Sequence, residues 1–469
     1  MNVSRTSILD QLGGAWHFVR AWPVFPVFVV RWFLRVERVT GLMDDSLQAC
    51  HSCPIDAVAD SPDSGRGPAV LLGETRALDP ETGSICPARI VERDGEVFLE
   101  KTLSSGKTRN TLVERDAGFY RRFAHADLAG KHRILNHFFY VTSRCNLKCP
   151  VCYEGKREVE EPSLEMLCAQ LPKISGARVA LCGAEPTCRE DLPDLIRAVN
   201  KRHVALLMTN GLKLADMKYL HSLREAGLTY VIFSMNGMND DVFRRTNGQA
   251  LLDIKLKALG NLEQLGMSVL LSATITRGAN EDQIRPLLEL EKRRKCILQV
   301  RFRSMTEMGC YVEGGQFCTS EFVKLICQQG GIDYDLWLKQ QDFYDHLGRT
   351  IGIDHIRPRL CAMRADLDKD LVPFAAERDW RAWDEALIKK PRLVAKMLNT
   401  YGLHYAYHYV RGLLDRYSYT PHPNFRRIAV RVWPTLDTMD LNLNRRCSSV
   451  YHRDGEVHPF CLSNALRSK

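Results

Sequence analysis

HFFYVTSRCNLKCPVCYEG, residues 137–155, decides how the chain is read. Its first six residues are aromatic or β-branched and predict a strand. The strand runs directly into Cys145, Cys149 and Cys152, spaced C-x3-C-x2-C and followed by Tyr153. So tight a loop can offer three thiolates to one metal centre, and iron–sulfur clusters are held by cysteine thiolates. Three thiolates on a four-iron cubane leave one iron open, as a chelating ligand requires. A structural zinc site wants a fourth protein ligand, and none stands nearby.

Outward from this stretch, apolar strand runs alternate with amphipathic segments. The runs are 137–142, 177–182, 203–209, 228–234, 267–275 and 297–303. Strands separated by helices predict a parallel sheet covered on both faces. Six such units predict an α/β fold, a partial (β/α)6 barrel over 131–305, with its chemistry at the C-terminal strand ends. Residues 306–469 read as an irregular region with scattered cysteines. Before the barrel, 46–130 read as a linker and a small β module whose Asp94-Gly95 marks a hairpin. Residues 1–45 form an apolar leader.

C-x3-C-x2-C followed by an aromatic, at the start of a βα barrel, resembles the radical S-adenosylmethionine (SAM) superfamily. The resemblance implies a [4Fe–4S] cluster on the three cysteines whose open iron binds the amino and carboxylate groups of SAM. It implies cleavage of SAM to a 5′-deoxyadenosyl radical that abstracts hydrogen from a substrate. It also implies a reductant such as flavodoxin or ferredoxin. The second strand ends in Gly183-Ala184-Glu185-Pro186, similar to the family's Gly-Gly-Glu-Pro. That similarity makes Gly183 a backbone contact and Glu185 the partner of the SAM ammonium. Asn210, Ser234 and Asn236 match the polar strand-end contacts, and Arg277, near Thr274 and Asn280, is the candidate for the SAM carboxylate.

The flanks resemble the tetraether-lipid-synthase-like branch. Its N-terminal metal module is present only as Cys86-Pro87 and the hairpin, and one thiolate cannot hold a metal. Cys50 and Cys53 form a separate C-x2-C pair. At the C-terminus, Cys447, Asp454-Gly455, Pro459-Phe460-Cys461 and Asn464 match the branch. This implies an auxiliary iron–sulfur cluster on Cys447 and Cys461. Cys361 is the first choice for a further ligand, with Cys310, Cys318 and Cys327 behind it.

Composition narrows the classes. Of 469 residues, 45% are hydrophobic, which is globular and not disordered. A net charge of +9 without a Lys/Arg block gives no nucleic-acid groove. Sixteen cysteines in a long chain with no cleavage signal favour a reducing, cytoplasmic setting over disulfides. The leader WHFVRAWPVFPVFVVRWFL, residues 16–34, carries Arg20 and Arg31 and is broken by Pro23 and Pro26. It reads as a segment lying on the inner face of the cell membrane and not crossing it. Leader and branch together point to a hydrophobic, lipid substrate and C–C bond formation. Two alternatives stay open: a peptide-modifying maturase with an auxiliary cluster, and a non-catalytic iron–sulfur protein.

Overall fold

The computed structural model describes residues 68–124, 134, 136–154, 161–174, 178–311, 315–351, 357–366, 427–445, 447–453 and 455–467. They fall within one of two units of the chain, 63–378 with 423–469. The other unit, 1–62 with 379–422, lies outside them, and so do the apolar leader, Cys50 and Cys53. Among the described residues no helix is long and apolar enough to cross a membrane.

The Asp94-Gly95 signal forms a hairpin. Asp94 (φ 52°) and Gly95 (φ 78°) are both left-handed, as a two-residue turn of this twist requires. They join β2 (Ile85–Arg93) to β3 (Glu96–Thr102); β1 (Val70–Leu78) and β4 (Thr108–Glu114) complete an antiparallel sheet. Ala77, Cys86, Ala88, Ile90, Val97 and Leu99 form its core against Tyr120. Cys86 is thus a core thiol, its pKa raised by burial. Lys101 is wholly buried, and its Nζ donates to Asp437 Oδ1 at 3.1 Å and to Leu78 O at 3.4 Å. An ammonium therefore ties the module to the C-terminal segment.

The six predicted strands are β5 (Asn136–Thr142), β6 (Arg178–Gly183), β7 (Val204–Thr209), β8 (Tyr230–Ser234), β9 (Ser268–Ile275) and β10 (Ile297–Ser304). They pair in parallel, each with the next. The helix Leu192–Asn200 shows why they are covered. Its Leu192, Leu195, Ile196 and Val199 recur at helical spacing and are buried on one face. Outward strand residues such as Phe139, Val141, Leu181, Leu207, Phe233, Leu271 and Phe302 meet the helices in one core. The opposite face alternates with them. There Phe138, Met208, Ser234, Ser272, Arg301 and Arg303 stay part-exposed.

The C-terminal region is less irregular than expected. It supplies β11 (Ala362–Asp366), β12 (Arg427–Arg431), β13 (Ser449–Arg453) and β14 (Glu456–Pro459). The sheet order is β11-β12-β10-β9-β8-β7-β6-β5-β13-β14. Strands β12 and β13 add in parallel to the two edges of the six-strand run. These strands are four or five residues long, too short to stand out by periodicity.

The β5–β13 pairing buries two histidines. His137 Nδ1 lies 2.8 Å from His452 Nε2, and Phe139 stacks on the His452 ring. Burial lowers the pKa of His137 to about 3 and of His452 to about 4. Both rings fold neutral, whereas the unfolded chain binds their protons from about pH 6.5 downward. Their contribution is full above pH 6.5 and is lost as pH falls toward 4. The expected slope is about 1.4 kcal/mol per pH unit for each histidine. Urea midpoints at pH 7.5 and pH 5.0 should differ accordingly, and His137→Phe should flatten the difference. Equal flattening by no variant at this pair would assign the acid sensitivity elsewhere.

Candidate active site

The cysteine loop leaves β5 and is held at both ends by backbone bonds. Ala184 N donates to Thr142 O and Glu185 N to Arg144 O, both at 2.9 Å, and Cys310 N donates to Cys152 O at 2.8 Å. Gly309 (φ 66°) makes the last contact sterically feasible. A Cβ there would lie 2.5 Å from Cys152 O and from Tyr153 C. Two sulfurs already accept N–H groups: Cys145 Sγ from Leu147 N at 3.4 Å, and Cys149 Sγ from Asn247 Nδ2 at 3.3 Å. Among the described residues no three His, Cys, Asp or Glu side chains converge as a finished metal cage. The loop nevertheless fits a thiolate-bound cluster. It gathers three part-exposed thiols within eight residues, and amide donors of the kind that stabilise cluster sulfurs reach two of them.

Glu185 sits 1% exposed at the end of β6. Its Oε1 accepts from Thr187 N (3.2 Å), Thr187 Oγ1 (2.6 Å) and Thr209 Oγ1 (2.7 Å); its Oε2 accepts from Asn210 N (2.7 Å). The carboxylate is therefore a hub for the ends of β6 and β7, with acceptor capacity left on Oε2. Gly183 (φ 132°) allows this strand end to form, because a Cβ would lie 2.5 Å from Thr142 O.

Asn210 joins the hub to the cysteine loop through Nδ2 to Asn146 Oδ1 at 2.7 Å. Ser234 ends β8 with a part-exposed side chain. Asn236 is buried and its amide is engaged. Oδ1 accepts from Thr274 N at 3.0 Å, and Nδ2 donates to Asn247 Oδ1 at 3.3 Å. Asn280 pins the same turn through Asn236 O and Thr274 O, each at 2.8 Å. Arg277 does not join the set. It is exposed, pairs with Glu321 at 3.3 Å, and lies 4.0 Å over the Phe317 ring, because its turn runs outward past β9.

Lys255 escaped the sequence reading. It is wholly buried, and its Nζ donates to Asn210 O (2.7 Å) and Ser234 O (2.8 Å), tying together the ends of β7 and β8. Burial lowers its pKa to about 8, while Cys149 and Glu185 nearby oppose that shift. Its position on the helix Leu252–Gln264, inside DIKLKALG, looks like one of several surface lysines.

On the inner side of the sheet, Tyr140, Cys182, Tyr451 and Phe460 cluster with Phe138, Met208, Trp433 and Cys461. Arg303 lies here, its guanidinium 4.4 Å from the Trp433 ring centroid and 5.5 Å from that of Tyr153. It donates to Thr274 Oγ1 at 2.6 Å and has no carboxylate partner among the described residues. Its side chain is part-exposed. Glu154, two residues after Cys152, accepts from Arg453 Nη1 at 3.0 Å and from Tyr451 OH at 3.1 Å. That buried pair fastens the cysteine loop to β13.

The C-terminal cysteines also approach one another. Cys461 and Cys447 are enclosed, and burial, then the neighbouring thiols, raise both pKa values; Cys361 acts on each of them. Cys361 itself is exposed. Among the described residues the three do not converge as a finished metal cage. Cys310 is exposed and meets the loop through its backbone. Cys327 is a core thiol and Cys318 caps the helix Thr319–Gly330; burial pushes both up to about 12. Asp454 lies outside the described residues.

Residues 139–290 match the model of the Radical SAM superfamily. The 7,8-dihydro-6-hydroxymethylpterin dimethyltransferase of Methanocaldococcus jannaschii is 28% identical over 316 residues, 57% of this chain and 61% of that protein. The Fe-coproporphyrin III synthase of Methanosarcina barkeri is 36% identical over 163 residues, 32% of this chain and 40% of that protein. The chain thus spans less than two thirds of the length of these relatives. Among solved structures, Streptococcus suis SuiB bound to S-adenosylmethionine matches with a TM-score of 0.36 and 17% identity, over 45% of this chain and 48% of that one. A [4Fe–4S] cluster and SAM are the cofactors of the matched superfamily. Over residues 139–290, the chain is therefore similar to the radical SAM superfamily.

Proposed function

We propose that the chain is an enzyme that cleaves SAM reductively and directs the resulting radical at a hydrophobic substrate inside the barrel. The observation that carries this reading is the joining of the cysteine loop, Glu185 and Asn210 at one set of strand ends. Cys145, Cys149 and Cys152 would hold the cluster, which when bound supplies the single electron for SAM cleavage. The remaining acceptor capacity of Glu185 Oε2 suits the SAM ammonium through a charge-assisted bond. Asn210 and Ser234 offer polar groups beside it. Cys361, Cys447 and Cys461 would hold an auxiliary cluster.

The inner wall supports the substrate class. Phe138, Tyr140, Met208, Trp433 and Phe460 give an apolar surface, and Arg303 adds a cation suited to an anionic end. A lipid with an acidic headgroup satisfies both. The leader of residues 1–45 and the C-terminal resemblance to the tetraether branch support the same substrate, with joining of hydrocarbon chains as the outcome. The test uses phospholipid vesicles with perdeuterated acyl chains and the reduced, cluster-filled protein. Transfer of one deuterium into 5′-deoxyadenosine is expected. Only unlabelled 5′-deoxyadenosine would reject the acyl chain as substrate.

A further inference from the structure

Asn247 ends the helix Asp240–Asn247 directly beside the cysteine loop and is 6% exposed. Its amide orientation is determined by its neighbours. Asn236 Oδ1 accepts from Thr274 N, so its Nδ2 is the donor to Asn247 Oδ1 at 3.3 Å, and Asn247 Nδ2 must point the other way, to Cys149 Sγ at 3.3 Å. Asn236 is in turn held by Thr274 N on β9 and, through its carbonyl, by Asn280 Nδ2. A relay of amides therefore runs from the end of β9 to one thiolate of the triplet. The next residue, Gly248, lets the helix end press on the loop, since a Cβ there would sit 3.3 Å from Lys148 O. The sulfur and its donor keep their distance because both backbones are fixed.

Hydrogen bonds to cluster sulfurs are among the levers that set reduction potential. A donor stabilises the thiolate more in the reduced cluster, which carries the extra negative charge. Burial strengthens this difference, because little water is present to screen it.

We propose that Asn247 is a tuning residue of the SAM-binding cluster: its amide bond to Cys149 raises the cluster's reduction potential. The inference rests on the assignment of Cys149 as a cluster ligand. Leucine at this position removes the donor and keeps the bulk. Aspartate keeps the shape, removes the donor and adds a negative charge.

The experiment is an EPR-monitored redox titration of the reconstituted full-length protein, carried out for wild type, Asn247→Leu and Asn247→Asp. The auxiliary ligands remain in place, and the SAM-binding cluster is followed by the change in its signal on adding SAM. At a fixed applied potential the ratio of reduced to oxidised cluster is expected to fall about tenfold in Asn247→Leu, a shift of about 59 mV to more negative values for one electron. It should fall further in Asn247→Asp. Asn236→Ala, which frees the Asn247 amide without removing it, should give a smaller shift of the same sign. Coincident potentials in wild type and both Asn247 variants would overturn the inference. Failure of both variants to load the cluster would also overturn it, by assigning Asn247 to holding the loop. A wild-type protein with no SAM-responsive cluster would instead reject the ligand assignment on which it rests.

Discussion

Replacing Cys145, Cys149 and Cys152 together by Ala is expected to remove the SAM-responsive cluster completely while leaving iron in the protein. The three thiols lie on a loop whose backbone is set by β6 and by Gly309, so their loss does not unfold the barrel. The strand core beneath, including Phe139, Val141 and Leu181, is untouched. If Cys361, Cys447 and Cys461 hold the auxiliary cluster proposed above, the variant should still bind iron and sulfide. Iron and sulfide analysis with EPR of the reduced variant, with and without SAM, checks both halves. A SAM-responsive signal in the triple variant would remove the triplet from the active site. Loss of all iron would show that the C-terminal cysteines hold none.

The second large effect concerns stability. Glu154 and Arg453 form an ion pair at 3.0 Å with side chains 3% and 6% exposed. Removing one partner of a buried pair leaves an uncompensated charge and costs about 3–5 kcal/mol. Arg453→Met should therefore lower unfolding stability by about that amount, measured by urea denaturation at neutral pH. Glu154→Gln should also destabilise, since it keeps the shape but only one acceptor oxygen and leaves the buried guanidinium without its counter-charge. Replacing both by apolar residues should recover much of the loss, because a buried pair and a well-packed apolar pair differ little. A change below about 1 kcal/mol in Arg453→Met would mean that water reaches the pair. Since Glu154 follows Tyr153, the same variant should loosen the cysteine loop and weaken cluster loading.

The barrel was legible in the residues because its strands are long apolar runs separated by amphipathic helices. All six expected strands are present within one or two residues of their expected ends. The hairpin was equally plain, since Asp94-Gly95 accepts two left-handed conformations in succession. The cysteine triplet and Glu185 could be found because their chemistry is local in sequence. Lys255 and Asn247 could not. Each acts through a contact made by a helix folding back on a strand end or loop, 45 and 21 residues earlier for Lys255 and 98 for Asn247, and neither residue type marks that contact. Arg303 was hidden similarly. Within the strand ILQVRFR it alternates with outward residues and reads as an ordinary strand charge until the inner face is seen. Strands β12 and β13 were missed because their parallel partners β10 and β5 lie far away in sequence, and β11 and β14 because they are only four or five residues long.

The most direct measurement is anaerobic incubation of the reconstituted, dithionite-reduced full-length protein with SAM, followed by mass spectrometry of 5′-deoxyadenosine. Wild type is expected to form 5′-deoxyadenosine, and Cys149→Ala none. Intact SAM in the presence of a fully loaded and reduced cluster would contradict the assignment of Cys145, Cys149 and Cys152 as the centre of the chemistry.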